Sequence, residues 1–281
     1  SASYKLAIII MSNIHTIHDA SSSSRQHRMS PIGGGQPISI GTLFGIPITI
    51  HPILLVYFLI SAVLPWVFNA QTMTMMIWLY LVIVNIPLLF GTVLLHELGH
   101  CWATLKVGGE VLGILLWPLG GLAYIGHSGD AKDDLFVSIA GPLTHIPQAL
   151  IWLGLSYVSP EGSFVDMICV HALWLNISLM MFNLFIPCYP LDGGRIFASS
   201  LQLMKVRVDI AAKICAFVSL ACAFGIGLYG FFYNEIIAMF IAFWCAQESY
   251  NLYLHTKENR LAEHQLFNKY AVESDGPYSQ I

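Results

Sequence analysis

Charge is scarce in this chain. Its 281 residues carry 12 Lys and Arg and 16 Asp and Glu, 10% in all, against about 25% in soluble domains. The formal net charge of −4 provides no basic surface, so a nucleic-acid partner is not implied. The six cysteines, Cys101, Cys169, Cys188, Cys215, Cys222 and Cys245, lie in or beside apolar runs. None has a partner at metal-finger spacing, so free thiols are expected rather than a disulfide frame. There is no internal repeat and no stretch that would hold an added soluble domain.

Apolar residues supply what charge does not. They make up 56% of the chain, and the mean hydropathy is +0.69. Repeated apolar runs near the length needed to cross a bilayer point to an all-α polytopic membrane protein with about six spans. Three regions follow: a flexible polar N-terminal tail at 1–40, a six-span membrane domain at 41–254 and a polar, loose C-terminal tail at 255–281. His15, His18 and His27 fall in the first tail and read as solvated. The apolar stretch at 4–11 is too short to span or to form a secretory signal.

The spans are expected at about 53–68, 74–105, 135–158, 165–186, 210–232 and 236–254. Gly45-Ile46-Pro47-Ile48-Thr49-Ile50-His51-Pro52 leads into the first, where an interfacial His51 is favoured over a catalytic one. The second exceeds the roughly 30 Å hydrocarbon core, so it must tilt, kink or protrude, and Pro87 offers the kink. Between the second and third spans, VGGEVLGILLWPLGGLAYIGH at 107–127 has too many glycines for a spanning helix. Short apolar runs parted by glycine pairs predict a small membrane-associated β-hairpin or sheet.

With these spans every Lys and Arg falls on one side. Lys5, Arg25 and Arg28 come first, then Lys106 and Lys132, then Arg195, Lys205, Arg207 and Lys213, then Lys257, Arg260 and Lys269. The opposite loops, around Gln71, Glu161 and Asn234, have none. Both termini are therefore expected on the cytosolic or equivalent side, with Trp66, Trp78, Tyr157 and Tyr233 near the other interface.

The pattern H-E-x-x-H occurs once, at His96-Glu97-Leu98-Gly99-His100. Residues four apart on a helix lie nearly above one another, so His96 and His100 would aim two imidazoles at one metal ion. Glu97 would stand beside them as a general base. A hydrolytic zinc site usually has three protein ligands, and a third must come from another element. Asp192 fits, in a Pro-rich break before Gly193-Gly194 and on the same inner side as the histidine pair. Taken alone, a helix cap or interfacial turn would explain it equally well. Asn183 could hold an oxyanion or substrate carbonyl, or make an interhelical hydrogen bond. His145 and His171 read as packed, hydrogen-bonded histidines. Cys188 and Glu248 carry less weight as ligands.

HELGH late in a long apolar helix, then PLGG, SIAGP and PLDGGR, resembles the site-2 protease family of intramembrane zinc metalloproteases. The likeness covers roughly 41–254, and its first span resembles the compact branch of the family without a PDZ domain. It implies one Zn2+ per chain held by His96, His100 and Asp192, Glu97 as base, and Asn183 binding the reacting group. Two departures stand out. His145 occupies the position that is often Asn in the family's G-P-x-x-N element, and one extra residue separates Asn183 from Pro187. No CBS pair follows the sixth span, so nucleotide sensing through one is not expected.

The resemblance implies peptide-bond hydrolysis in or next to a transmembrane segment of a membrane-protein substrate. An exposed strand edge at 111–124 would hold the unwound segment by strand addition, with Gly120 and Gly121 permitting close backbone approach. The lipid bilayer is the other expected partner, and oligomeric state is open. Two alternatives remain: a catalytically inactive adaptor of the same fold, and a transporter. The adaptor would usually have lost a ligand or the base. The transporter would place polar residues along several spans near the midplane. A prenyl-protein zinc protease would instead use a Glu, such as Glu248, as third ligand.

Overall fold

The computed structural model describes residues 36–68, 75–126, 129–264, 266–267 and 270. The expectations for His15, His18 and His27, for Lys5, Arg25, Arg28 and Lys269, and for the loop at Gln71 lie outside these residues. The described chain is mostly helical with one four-stranded sheet, and it forms two compact units.

The first unit comprises 34–127 and 140–180. Its first strands, β1 (Ile38–Leu43) and β2 (Ile46–Ile50), form an antiparallel hairpin. Phe44 and Gly45 turn it with φ of 52° and 80°, the left-handed pair that suits the twist of a two-residue hairpin. Next come α1 (Pro52–Phe68), α2 (Met75–Leu79), a π-helical segment (Tyr80–Asn85) and α3 (Ile86–Lys106). The widened turn ends just before Pro87. That ring can neither donate to nor clear the carbonyl four residues back, so the irregularity has a local cause.

After α3 come β3 (Glu110–Trp117) and β4 (Gly120–Gly126), the hairpin expected at 107–127. It is half of a larger sheet in the order β1-β2-β3-β4. β2 lies parallel to β3, pairing Ile48 with Ile114 and Ile50 with Leu116. The sequence reading left β1 and β2 out of this sheet, and β1 begins at Ile38, inside the stretch assigned to the tail. The parallel pairing joins segments separated by the whole α1–α3 crossover, which local patterning does not reveal. His51 makes the junction. Its backbone N–H donates to the Leu116 carbonyl at 2.9 Å, and its Nδ1 accepts the Ile53 N–H at 3.2 Å. It is a buried corner between β2 and α1.

Central β3 is covered on both faces, and Ile114, Leu115 and Leu116 are all buried. This explains its unbroken apolar run where a half-exposed strand would alternate. Ile114 and Leu116 pack with Ile46, Leu54, Phe90 and Cys101, which ties α3 to the sheet. The remaining elements are α4 (Ala131–Leu143), α5 (His145–Val158), α6 (Phe164–Phe185), α7 (Asp192–Leu203), α8 (Val208–Tyr233) and α9 (Ile236–Lys257).

The second unit holds 129–139 and the described chain from 181 onward. Its α8 and α9 form a helical hairpin, turned by Asn234 at φ 56°. Ala211, Ala212, Cys215, Ala216, Ser219, Ala223 and Gly230 are the buried small residues of α8, the composition that lets helix backbones approach in apolar surroundings. Part of the C-terminal tail is among the described residues, and it is packed there. Phe267 is fully buried and Tyr270 nearly so, in a core with Ala198, Ala211, Cys215 and Leu252. The Tyr270 hydroxyl donates to the Asp134 carboxylate. These two aromatic side chains bury apolar area at the described positions of the tail.

Among the described residues, three helical stretches are long and apolar enough to cross a membrane: Ala131–Val158, Phe164–Phe185 and Val208–Tyr233. They correspond to the third, fourth and fifth expected spans. The apolar part of α1, Pro52–Val63, is shorter. Large apolar side chains such as Leu150, Trp174, Phe217 and Phe224 are exposed along these helices, as a lipid-facing surface requires. All six cysteines are free.

Candidate metal centre

His96, Glu97 and His100 lie on the buried side of α3, together with Gly99, Cys101, Ala103 and Thr104. One helical turn separates the two histidines, and their Nε2 atoms face each other at 3.1 Å. Their ring planes stand 79° apart. Two nitrogens bonded to one tetrahedral zinc ion would be about 3.3 Å apart, so the pair fits a single ion. Both side chains are buried, and neutral imidazoles are the donors that zinc accepts without added charge.

Glycines make room for this group. At Gly141 a Cβ would overlap the His100 imidazole. At Gly121, on β4, it would overlap the Glu97 side chain. At Gly99 it would meet Thr144 and the Ala140 carbonyl, so this position lets α3 approach the 140–144 backbone. The sequence reading gave Gly121 to substrate; the structure shows what its missing side chain admits.

Glu97 is held from the sheet, because Ala123 N–H donates to its Oε2 at 3.0 Å. The hydrogen-bonding groups of an antiparallel strand point alternately toward and away from the partner. Ala123 N–H is directed to Glu97, so by this alternation Gly121 and Ile125 share its outward direction, away from β3. Glu97 therefore lies along the outer edge of β4. The His100 backbone carbonyl accepts the Thr104 hydroxyl at 2.9 Å.

Behind His96 is a second pair that the sequence reading did not assemble. His96 Nδ1 lies 3.1 Å from His145 Nε2. His145 Nδ1 lies 3.0 Å from Asn176 Oδ1, and Asn176 Nδ2 donates to the Ala172 carbonyl at 2.9 Å. His145 is 1% exposed and Asn176 0%. The available sequence signal for Asn176 was an amide in an apolar helix that also carries Asn183. His171 is hydrogen-bonded too, 2.9 Å from Asn85 Oδ1.

Asp192 and Asn183 belong to the second unit. Asp192 is the first residue of α7 and is buried. A Cβ at Gly193 would overlap the Ile186 carbonyl, and one at Gly194 the Tyr189 backbone. The Gly pair thus lets the start of α7 nest against the 186–189 loop. That loop is tied to α8, because Tyr189 N–H donates to Ser219 Oγ at 2.9 Å. Asn183 is half-buried in the last turn of α6. Glu248 is buried on α9 in the same unit. Gly120 takes φ of 141° at the start of β4, with open space where a side chain would be.

No family model matches the chain. Individual proteins do. A zinc metalloprotease of Methanocaldococcus jannaschii is 32% identical over 216 residues, 75% of this chain and 60% of that protein. Stage IV sporulation protein FB of Bacillus subtilis is 31% identical over 141 residues, 46% of each. A solved structure of a site-2 protease from Methanocaldococcus jannaschii matches 76% of this chain and 94% of its own, with 29% identity and a TM-score of 0.54. The chain spans about half the length of the curated relatives it matches. With HELGH, SIAGP and PLDGGR in place and this structural likeness, the chain belongs to the site-2 protease family of zinc metalloproteases.

Proposed function

We propose that this protein is an intramembrane zinc endopeptidase that hydrolyses a peptide bond in or next to a transmembrane segment of a membrane-protein substrate. The observation that carries the reading is the buried His96–His100 pair, with facing nitrogens 3.1 Å apart and Glu97 anchored beside it by Ala123 N–H.

His96, His100 and Asp192 would hold one Zn2+ per chain. When bound, that ion would supply Lewis acidity and would lower the pKa of a water molecule to about 7. Glu97 takes a proton from the attacking water as its oxygen bonds to the carbonyl carbon. It then delivers that proton to the leaving nitrogen as the C–N bond breaks. Its anchored Oε2 leaves Oε1 as the oxygen that exchanges the proton. Asn183 would hold the substrate carbonyl oxygen as charge gathers there.

A helical substrate hides its carbonyls and must unwind. The outer edge of β4 runs past Glu97, so a strand added there at Gly121 would lay its backbone beside the base. Gly120 and Gly121 would admit that approach. Six spans, with both termini on the cytosolic side, are consistent with the one-sided distribution of Lys and Arg.

The test pairs zinc content with cleavage of a transmembrane reporter by the chain reconstituted in liposomes, wild type against Glu97→Gln. The expected result is about one zinc in both and cleavage by the wild type alone. A wild type that binds no zinc after metal-replete purification would overturn the reading.

A further inference from the structure

The histidine beneath His96 has a defined task. Asn176 is oriented by its own helix, because Nδ2 donates to the Ala172 carbonyl. The atom turned to His145 is therefore the acceptor Oδ1, and His145 Nδ1 must carry the proton in that 3.0 Å contact. One proton then belongs to the 3.1 Å contact between His145 Nε2 and His96 Nδ1.

Two allocations exist. If His145 Nε2 carried it, His96 Nδ1 would be the acceptor and the His96 proton would sit on Nε2, the atom that faces His100. If instead His96 Nδ1 carries it, His145 Nε2 is the acceptor. The His96 Nε2 lone pair is then directed toward His100. Only the second allocation makes His96 a metal ligand through the nitrogen that faces His100.

We propose that Asn176 and His145 form a positioning relay that fixes the tautomer and ring orientation of His96 and thereby sets metal affinity. This inference rests on the zinc reading of the His96–His100 pair. The carboxylate or carbonyl that commonly orients a metal-bound histidine is replaced here by an imidazole, itself oriented by an amide. His145 is the residue that joins the two contacts. An Asn side chain would end near the ring's Nδ1 position, within reach of Asn176 but short of His96. The imidazole bridges both.

Two substitutions of similar polarity separate this role from packing. In His145→Gln the amide reaches the former Nε2 position and its oxygen still accepts from His96 Nδ1–H. In His145→Asn the contact with Asn176 remains and the contact with His96 is lost. Zinc affinity is measured by competition with a chelator on the purified chain in detergent. The His96 tautomer is read by nitrogen NMR of histidine-labelled, metal-free protein, with assignment by His96→Gln.

The expected result is an affinity near wild type for His145→Gln and a loss of about 10- to 100-fold for both His145→Asn and Asn176→Leu. The wild-type His96 signal is expected to show a protonated Nδ1. Equal affinities for His145→Asn and wild type, or a His96 protonated at Nε2, would overturn the relay. A wild type that binds no zinc would sink the functional reading instead, and the tautomer measurement would still judge the relay.

Discussion

Ala123 and Glu97 are joined across two kinds of structure: a strand amide donates to a helix carboxylate at 3.0 Å. The bond fixes which oxygen of Glu97 is occupied. Glu97→Gln keeps the shape but loses the basicity. We expect cleavage to fall by about 10²–10⁴-fold with zinc content unchanged, measured by reporter turnover and metal analysis on the same samples. Ala123→Pro tests the anchor itself. Its N–H points away from β3, so proline removes no ladder bond, and edge strands tolerate such a residue. Cleavage should fall roughly 10- to 100-fold through misplacement of the base, again with zinc retained. Full activity in Ala123→Pro would show that the anchor is dispensable.

Gly121 and Gly141 predict opposite phenotypes from the same one-carbon change. In Gly141→Ala the new methyl group overlaps the His100 ring, so zinc affinity should drop by about tenfold or more. In Gly121→Ala it overlaps Glu97, so cleavage should drop while affinity holds. Chelator competition and turnover on the two variants give four numbers. The prediction fails if both variants lose the same property.

Asp192 and Glu248 are both buried carboxylates of the second unit, and each has been considered as a third ligand. Asp192→Ala should lower zinc affinity by about 100-fold or more, because a hydrolytic site with two protein ligands is incomplete. Glu248→Ala should leave affinity near wild type. The reverse pattern would move the ligand to α9 and rule out the assignment to α7.

What the sequence revealed depended on how local each feature is. The four-residue spacing of His96 and His100 dictates a shared helix face, and the Nε2 atoms are indeed in contact. Glycine pairs and Pro118 marked the β3–β4 hairpin. The β2–β3 pairing was not legible, because parallel neighbours lie far apart in sequence and the run at 45–52 looked like a lead-in to the first span. Helix α7 was hidden inside a stretch read as a break, since Asp192 and its glycines signal a turn before they signal a helix start. Asn176 was one of several polar residues in an apolar helix, and its meaning came only from His145 standing beside it.

Phe267 and Tyr270 give the last prediction, outside the metal centre. Phe267 is fully buried, so Phe267→Ala should cost about 3–5 kcal/mol. That loss would appear as faster proteolysis of the C-terminal tail and a lower apparent melting temperature at fixed scan rate. Tyr270 adds a pH arm. Burial, then its hydrogen bond to Asp134, raises the phenol above its ordinary value of 10.0. The folded unit therefore holds this proton more tightly than the unfolded chain. The stabilisation is complete below pH 10 and declines as pH rises through the folded value. Tyr270→Phe should flatten this alkaline decline. It should be less harmful than Phe267→Ala, because the ring stays in the core and only the hydroxyl is lost. An alkaline stability profile identical in wild type and Tyr270→Phe would show that the contact with Asp134 does not hold the tail.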